Sequence, residues 1–124
     1  MSSQSSDTLI ITREGAVTTI RLNRPERYNS FNREMALALQ EALDQGATDG
    51  TRCIVLTGEG KAFCAGQDLN EVTDPNGPPL PTIVGEHYNP IITRLRDIEV
   101  PVIAAVNGAA AGAGATWWGR RRHA

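Results

Sequence analysis

The amino-acid sequence predicts an α/β fold, one domain in which strands and helices alternate and the strands form a largely parallel sheet. Short runs of β-branched and aliphatic residues alternate with segments whose apolar residues repeat at helical spacing. Such alternation is typical of crossover connections between parallel strands. The chain has 124 residues, of which 40% are apolar, and this length suits one domain with one core.

The first predicted element is a β-hairpin. Two β-prone runs, residues 9–12 and 17–22, flank a turn that contains Gly15. Pro25 follows the second run and ends it, because proline has no N–H to donate to a strand ladder. Residues 1–7 are almost all polar and are expected to form a disordered lead.

A helix and a buried strand are predicted next. Asn32 suits the N-cap of a helix whose apolar residues recur at helical spacing, and Gly46 is a plausible end of that helix. Residues 53–57 form a short continuous apolar run, which is typical of a strand covered on both faces. Residues 58–66 are predicted to form a glycine-rich loop that leads to a turn at 67–70.

The second half of the chain predicts one more helix and one more strand. Residues 74–79 contain three prolines and are expected to form a surface loop. The apolar residues of 91–98 mark a helix, which Pro90 starts or kinks. Residues 102–106 predict a second buried strand, and 107–115 are almost all small residues.

Composition and charge exclude several classes of function. Twelve Lys and Arg against 14 Asp and Glu give a net charge of −2, so the basic surface of a nucleic-acid-binding protein is not expected. No apolar run approaches the ~20 residues that a membrane span needs, and the N-terminus lacks the pattern of a secretory signal. Cys53 and Cys64 lie in or beside apolar stretches and predict buried, reduced thiols of a cytoplasmic protein; a redox or metal-binding pair is the alternative.

Two segments, 54–69 and 103–116, share a pattern of residues that suggests a catalytic site. Each has a buried strand, then small residues, then a turn that is expected to open a helix. Small side chains let a ligand approach the backbone, and the first N–H groups of a helix have no partner within it. If the turns face each other, two N–H groups point at one oxygen, as in an oxyanion hole. The alternative is that the small residues only allow tight packing of helix against sheet.

A dinucleotide-binding loop is a rival interpretation of residues 108–114, which are glycine-rich and come directly after a strand. Such a loop normally follows the first strand of its domain, and this one does not. The glycines of residues 58–62 do not form a phosphate-binding loop either, because no hydroxyl residue follows Lys61. The oxyanion hole is therefore the favoured functional interpretation.

Several polar side chains near these segments have less specific patterns. Asp68 is expected to cap a helix rather than act as a base. Arg24 and Arg27 are expected on a solvated surface, with a phosphate contact as the alternative. His87 and Tyr88 lie in a helical stretch and, without a partner at hydrogen-bonding spacing, are not expected to be catalytic.

The chain contains three motifs in sequence: Asn23-Arg24-Pro25 with Asn29-Ser30-Phe31-Asn32, the run Gly58–Leu69, and the run Pro101–Gly114. Their residues, order and spacing resemble those of the crotonase (enoyl-CoA hydratase/isomerase) family, and the resemblance runs from about residue 8 to residue 115. Within the family, Tyr88-Asn89-Pro90 and the small residues up to Thr116 look most like the epoxyphenylacetyl-CoA isomerases of phenylacetate breakdown. The resemblance implies a spiral of ββα units.

The resemblance also implies a substrate and a site. The substrate is an acyl-CoA thioester whose carbonyl oxygen accepts the backbone N–H groups of Gln67 and Ala113, the two implied catalytic residues. The implied substrate-binding residues are Ala65, whose backbone lies near the CoA adenine, and Gly66, Asp68, Leu69 and Arg27. No separate cofactor and no metal are implied, since coenzyme A is part of the substrate. The longer relatives are expected to be homo-oligomers, trimers or hexamers.

Two departures from the family pattern affect the expected reaction. The hydratases of the family carry a glutamate at the position of Thr116, and a hydroxyl is not a carboxylate acid or base at neutral pH. This favours an isomerase that moves one proton over an enzyme that adds water with two carboxylates. The other acid of the family lies downstream of Ala124, because family members are much longer than this chain.

The segment 117–124 is rich in tryptophan and arginine where an apolar helix is expected. If the segment is translated back into codons and these are read in a frame shifted by one nucleotide, they can encode Gly-Gly-Gly-Asp-Val-Val-Met. This peptide resembles the segment that family members carry at this point. We therefore expect a disordered lead at 1–7, the N-terminal part of a crotonase-like domain at 8–116, cut short after the second buried strand and turn, and a frameshifted tail at 117–124. A genuine short variant with a basic tail is the alternative.

The sequence leaves two classes of function open. The first is an acyl-CoA isomerase or hydratase-like enzyme that stabilises a thioester enolate in an oxyanion hole. The second is a catalytically inactive fragment or pseudoenzyme that only binds acyl-CoA or a partner subunit.

Overall fold

The computed structural model describes residues 7–110 of the protein, which form two sheets and several helices. The strands are β1 (Leu9–Glu14), β2 (Val17–Leu22), β3 (Cys53–Gly58), β4 (Ala62–Cys64), β5 (Val102–Ala104) and β6 (Ala109–Ala110). The α-helices are α1 (Arg33–Gly46), α2 (Leu69–Thr73), α3 (Leu80–Thr82) and α4 (Asn89–Asp97), with a 3₁₀ turn at Pro25–Arg27 and a π-helical segment at Ile83–Tyr88.

The larger sheet has the strand order β1-β2-β3-β5. The hairpin partners β1 and β2 are antiparallel, whereas β2, β3 and β5 are parallel to one another. The predicted hairpin and the predicted largely parallel sheet are both confirmed. The second sheet is small and consists of β4 and β6 in parallel.

One apolar core lies between the larger sheet and the helices. The predicted N-cap is confirmed, since the Asn32 side-chain oxygen accepts a hydrogen bond from the backbone N–H of Met35 at 3.0 Å. The core side chains from the sheet include Leu9, Ile20, Leu22, Ile54 and Leu56, and those from α1 and α4 include Met35, Leu39, Leu43, Ile91 and Leu95. Burial of these side chains is the main source of stability.

Three elements differ from their prediction. The predicted loop 58–66 contains β4, because residues 62–64 find a strand partner in β6, far along the chain. The strand predicted at 102–106 ends at Ala104. The helix predicted around 91–98 begins earlier, at Leu80, and continues through the π-helical segment to Asp97.

The π-helical segment explains how this longer helix stays packed on the core. The buried residues of the longer helix recur every four positions and are Ile83, His87, Ile91 and Leu95. In a pure α-helix a strict spacing of four drifts around the axis, because a turn holds 3.6 residues. The wider π turn between Ile83 and Tyr88 reduces this drift, so His87 stays on the buried face.

Asn29 joins the turn before α1 to the loop before β4. It is fully buried and has a left-handed backbone with φ of 57°. Its side-chain oxygen accepts the Arg24 N–H at 2.7 Å, and its amide group donates to the Glu59 and Ala62 carbonyl oxygens, both at 2.9 Å. Three buried or partly buried backbone groups therefore depend on this side chain.

We expect Asn29→Ala to lower the free energy of unfolding by roughly 2–4 kcal/mol, because it leaves these groups unsatisfied and puts a less tolerant residue at a positive φ. Urea unfolding followed by circular dichroism measures the change. Asn70→Ala, at an exposed position, is the matched control and should change stability by less than about 0.5 kcal/mol. Equal effects of the two variants would contradict the role of Asn29.

Candidate functional site

An open groove of about 620 Å³ lies between the 3₁₀ turn and the segment that joins β4 to α2. The groove is lined by Glu26, Arg27, Tyr28, Ser30, Ala65, Gly66, Gln67, Asp68, Leu69 and Asn70. Six predicted site residues are therefore brought together: Arg27, Ala65, Gly66, Gln67, Asp68 and Leu69. The seventh, Ala113, and Thr116 and the tail 117–124, lie outside the described residues.

The backbone N–H of Gln67 is oriented by Phe31. The Phe31 N–H donates to the Gly66 carbonyl oxygen at 2.6 Å, and the Asp68 N–H donates to the Phe31 carbonyl oxygen at 2.8 Å. Since the Gly66–Gln67 peptide is trans, its N–H points opposite to its carbonyl, and therefore away from Phe31. Among residues 7–110 no acceptor takes this N–H.

Two further features of this peptide favour its N–H as a hydrogen-bond donor. Its carbonyl accepts the hydrogen bond from Phe31, which polarises the peptide and strengthens the N–H as a donor. Gly66 has a φ of 101°, a conformation that favours glycine over residues with a side chain. Helix α2, which begins two residues after Gln67, has only five residues, so its dipole contributes little and the donor acts by hydrogen bonding.

The two small-residue segments identified in the sequence are neighbours in the second sheet. Parallel pairing of β4 with β6 places Ala62 opposite Ala109 and Cys64 opposite Ala110. Gln67 lies three positions after Cys64, and Ala113 lies three positions after Ala110 in the sequence. The segments that lead to both predicted donors therefore run side by side as far as Cys64 and Ala110, with an irregular register between Ala62 and Cys64.

Asn107 and Gly108 hold this neighbourhood together. The Asn107 side chain accepts the Gly58 N–H at 3.1 Å and donates to the Ala62 carbonyl oxygen at 3.2 Å. A Cβ atom at Gly108 would collide with the Lys61 carbonyl oxygen, so only glycine allows this approach. Close packing, the alternative explanation of the small residues, is therefore also present and serves to align the two segments.

Asp68 and Arg24 form a largely buried ion pair at the edge of the groove. The Arg24 guanidinium Nη2 lies 2.8 Å from Asp68 Oδ2 and its Nη1 donates to the Ser30 carbonyl oxygen at 2.6 Å. Asp68 Oδ1 accepts the Asn70 N–H at 2.8 Å, which confirms the predicted cap of α2. The expectation of a solvated Arg24 is wrong, because its partner comes from a distant segment and draws it inward.

These contacts hold Asp68 in its ionised form. Burial alone raises the pKa of Asp68, but the Arg24 guanidinium and the Asn70 N–H outweigh it and keep the pKa below its usual range. Both carboxylate oxygens are already engaged. Asp68 therefore shapes the groove and is not placed to act as a base.

The remaining predicted residues present exposed groups to the groove. Arg27 is exposed and has no ion-pair partner within residues 7–110. Ala65 is exposed, and its N–H donates to the Tyr28 carbonyl oxygen at 3.0 Å. The Leu69 side chain is 73% exposed, which leaves an apolar surface at the entrance.

A polar network behind Gln67 was not predicted from the sequence. Tyr88 donates its hydroxyl hydrogen to Gln67 Oε1, and Gln67 Nε2 donates to Glu71 Oε1 at 3.1 Å. His87 is buried, with Nδ1 3.9 Å from Glu71 Oε1 and Nε2 3.1 Å from Arg33 Nη1. His87 and Tyr88 do have hydrogen-bonding partners, which come from distant segments and leave no local sequence pattern; that neither residue is catalytic stays a prediction.

Both ring groups of this network are neutral at pH 7. Burial lowers the pKa of His87, which outweighs the opposing effect of Glu71. Because Arg33 only donates, His87 Nε2 accepts and the ring proton resides on Nδ1, facing Glu71. Burial, with the nearby Cys64 and Glu71, raises the pKa of Tyr88 far above its usual value, so its hydroxyl keeps its proton.

Neither a metal site nor a membrane-spanning helix is found in the described residues. Within 7–110, no group of three or more His, Cys, Asp or Glu side chains is arranged to hold a metal ion. In the same range, no helix has both the length and the apolar character that crossing a membrane requires.

Comparisons with known proteins give a consistent family. Residues 12–117 match the sequence profile described as enoyl-CoA hydratase/isomerase. The chain is 56% identical over 107 residues to the 1,2-epoxyphenylacetyl-CoA isomerase of Escherichia coli K12, which covers 83% of this chain and 41% of that protein. It is 38% identical over 120 residues to 4-chlorobenzoyl coenzyme A dehalogenase-2 of an Arthrobacter species, with coverage of 92% and 43%.

The solved structures agree with the sequence relatives. The crystal structure of an enoyl-CoA hydratase from Mycobacterium smegmatis superposes with a TM-score of 0.85 at 31% identity, over 94% of this chain and 46% of that one. The predicted crotonase-like fold is thereby confirmed for the part of the chain that the structure describes. The chain spans about two fifths of the length of the curated relatives it matches (41% and 43%).

We expect Asp68→Asn to lower the free energy of unfolding by about 2 kcal/mol at pH 7, because asparagine keeps the helix cap but removes the charge that Arg24 needs. Since the pKa of Asp68 is lowered by folding, its stabilisation is present above the unfolded value of 3.8 and is lost as the pH falls through the folded value. Urea unfolding at several pH values tests this.

A control for Asp68 is available on the surface. The Arg96–Asp97 pair has side chains about two-thirds exposed (65% and 67%) and a separation of 3.6 Å between Arg96 Nε and Asp97 Oδ1. Asp97→Asn should therefore change stability by less than about 0.5 kcal/mol. A loss in Asp68→Asn no larger than in this control would show that the buried pair does not stabilise the groove.

We expect His87 to make the protein less stable in mild acid. Its pKa is lowered by folding, so between the folded value and the unfolded value of 6.5 the unfolded chain binds more protons. Stability therefore falls as the pH decreases from about 7 through that range, and His87→Gln should lack this component. The difference in free energy of unfolding between the two proteins should shrink as the pH falls; a constant difference would refute the prediction.

Proposed function

The chain belongs to the enoyl-CoA hydratase/isomerase family, and we propose from this membership and from the groove that it binds an acyl-CoA thioester and stabilises its enolate. The observation that carries the proposal is the Gln67 N–H, which is turned away from Phe31, belongs to a residue that lines the groove and has no acceptor among residues 7–110. A donor of this kind suits an oxygen that gains negative charge during a reaction.

The chemistry follows from where the charge develops. When one base takes a proton from the carbon next to a thioester carbonyl, an electron pair moves onto the carbonyl oxygen, and return of the same proton from that base to another carbon completes an isomerisation. The Gln67 N–H is the first proposed donor to that oxygen. The backbone N–H of Ala113 is the second, supported by the parallel pairing of β4 with β6, which brings together the segments that lead to Gln67 and to Ala113.

Isomerisation is the reaction type we favour within the family. Thr116 stands where the family's hydratases carry a glutamate, and its hydroxyl does not replace a carboxylate acid or base at neutral pH. A relative named 1,2-epoxyphenylacetyl-CoA isomerase is 56% identical over 107 residues. We therefore propose a 2-(1,2-epoxy-1,2-dihydrophenyl)acetyl-CoA isomerase type of activity, which belongs to phenylacetate breakdown.

The other groove residues are assigned to the coenzyme A part of the substrate. Arg27 is exposed and has no ion-pair partner among the described residues, and we propose that its fixed charge meets a phosphate. The backbone at Ala65 and Gly66 is proposed to lie near the adenine, with Leu69 offering apolar surface. The reaction in this form needs no separate cofactor, because coenzyme A belongs to the substrate.

A cytoplasmic location and, for longer relatives, a trimeric or hexameric assembly complete the proposal. They are supported by the family resemblance. Sedimentation of the purified protein with and without acyl-CoA shows whether this chain assembles in the same way.

The proposal predicts that Gly66→Ala strongly reduces turnover while a matched glycine variant does not. An alanine at a φ of 101° strains the backbone and turns the Gln67 N–H away from the thioester. We expect kcat to fall by about 100-fold, the usual effect of losing one oxyanion donor. Gly85→Ala is the control, since Gly85 is exposed and an added Cβ meets nothing within 4 Å.

Two measurements separate catalysis from binding alone. Turnover of the ring-epoxide thioester is followed by chromatography, and the carbonyl stretch of bound ¹³C-labelled cinnamoyl-CoA is followed by infrared difference spectroscopy. A lowered carbonyl frequency with turnover supports the enzyme, and a lowered frequency without turnover supports a protein that only binds acyl-CoA. An unchanged frequency in the unmodified protein would contradict the oxyanion hole itself.

A further inference from the structure

We propose that Tyr88 is a positioning residue that fixes the Gln67 backbone N–H through the Gln67 side chain. The inference rests on the proposed function, since it assigns the N–H to a thioester oxygen. It concerns a side chain of the π-helical segment between α3 and α4, which lies outside the groove lining and which the proposed chemistry does not use.

The Gln67 side chain is held at both ends. Its Oε1 accepts the Tyr88 hydroxyl hydrogen. Its Nε2 donates to Glu71 Oε1 at 3.1 Å and to the Asp68 carbonyl oxygen at 3.2 Å. A glutamine that is bonded at both amide atoms has few rotamers left, and this restricts its own backbone as well.

Tyr88 is itself rigidly placed. Its hydroxyl is neutral, because burial raises its pKa, so it donates at any ordinary pH. Its ring packs edge-on against Phe31, with 6.5 Å between centroids and an interplanar angle of 63°. Phe31 is the residue whose backbone bonds to Gly66 and Asp68. Tyr88 therefore contacts the Gln67 turn through Gln67 and through Phe31.

Backbone hydrogen bonds restrain the turn at Gln67 on one side only. Phe31 holds the peptides on both sides of Gln67 from one direction only. The Tyr88–Gln67–Glu71 hydrogen bonds hold the side chain, and so resist rotation of the peptide whose N–H is turned away from Phe31. Displacement of a reacting or donating group by about 1 Å is enough to lower a rate substantially.

The π-helical segment supplies the geometry that this contact needs. Tyr88 is its last residue, and the buried His87 lies just before it. Such segments frequently occur at functional sites because they redirect a side chain without ending the helix. Here the redirection keeps His87 on the core face and leaves the Tyr88 hydroxyl to reach Gln67.

Tyr88→Phe tests the inference, because it removes the hydroxyl and keeps the ring against Phe31. We expect kcat to fall about tenfold and KM to stay within about twofold of the value for the unmodified protein. The reason is that misalignment of the Gln67 N–H affects the charge that develops during the reaction more than it affects binding. The infrared shift of bound ¹³C-labelled cinnamoyl-CoA should be reduced by at least half. A purely structural role would instead alter stability and leave the carbonyl frequency of the bound fraction unchanged.

A double-mutant cycle shows whether Tyr88 acts through Gln67. Gln67→Met removes both hydrogen-bonding arms of the side chain and leaves the backbone N–H in place, so it should reproduce the effect of Tyr88→Phe. The double variant should then be no worse than either single variant, since residues that act through one contact are not additive. Additive losses, or an unchanged carbonyl shift in Tyr88→Phe, would overturn the inference.

The outcome for the unmodified protein separates this inference from the proposed function. A carbonyl shift in the unmodified protein that persists in Tyr88→Phe overturns the positioning role alone. The absence of any shift in the unmodified protein overturns the oxyanion hole and the positioning role with it. A reduced shift in Tyr88→Phe and in Gln67→Met, without further loss in the double variant, supports both.

Discussion

The hydrogen bond from the Phe31 N–H to the Gly66 carbonyl oxygen is the contact on which the site depends. It has a length of 2.6 Å and fixes the plane of the Gly66–Gln67 peptide, which directs the Gln67 N–H away from Phe31. Phe31 lies directly before the N-cap of α1, so the orientation of the donor is tied to a helix that supplies much of the core. A donor held in this way needs no rearrangement when charge appears on its acceptor.

The parts of the fold that sequence reasoning predicted are those with local causes. The hairpin around Gly15, the N-cap at Asn32 and the strand that begins at Cys53 each follow from turn chemistry, capping or an apolar run. The groove residues followed from small-residue turns and from a family resemblance that names positions. Both kinds of signal are carried by residues that lie next to one another in the chain.

The parts that could not be predicted depend on partners from distant segments. Strand β4 exists because β6 pairs with it, and the burial of Arg24 depends on Asp68, 44 positions away. Tyr88 contacts Gln67, 21 positions away, and lies in a π-helical segment that the residue types there do not predict. Hydrogen-bonding spacing along one helix is therefore a poor guide to whether a buried histidine or tyrosine has a partner.

Several polar side chains around the groove have their hydrogen bonds made by protein atoms, whereas other groups that line it do not. Asn29, Asp68 and the Gln67 side chain all have their hydrogen bonds made by protein atoms, which stabilises the walls. The Gln67 backbone N–H is one of these groups, without an acceptor among residues 7–110. A partly buried donor without a partner lowers stability unless a ligand or water supplies an acceptor. The satisfied side chains hold the walls in place around a backbone donor that a ligand oxygen can accept from, and this is the physical reason to assign the function to the groove.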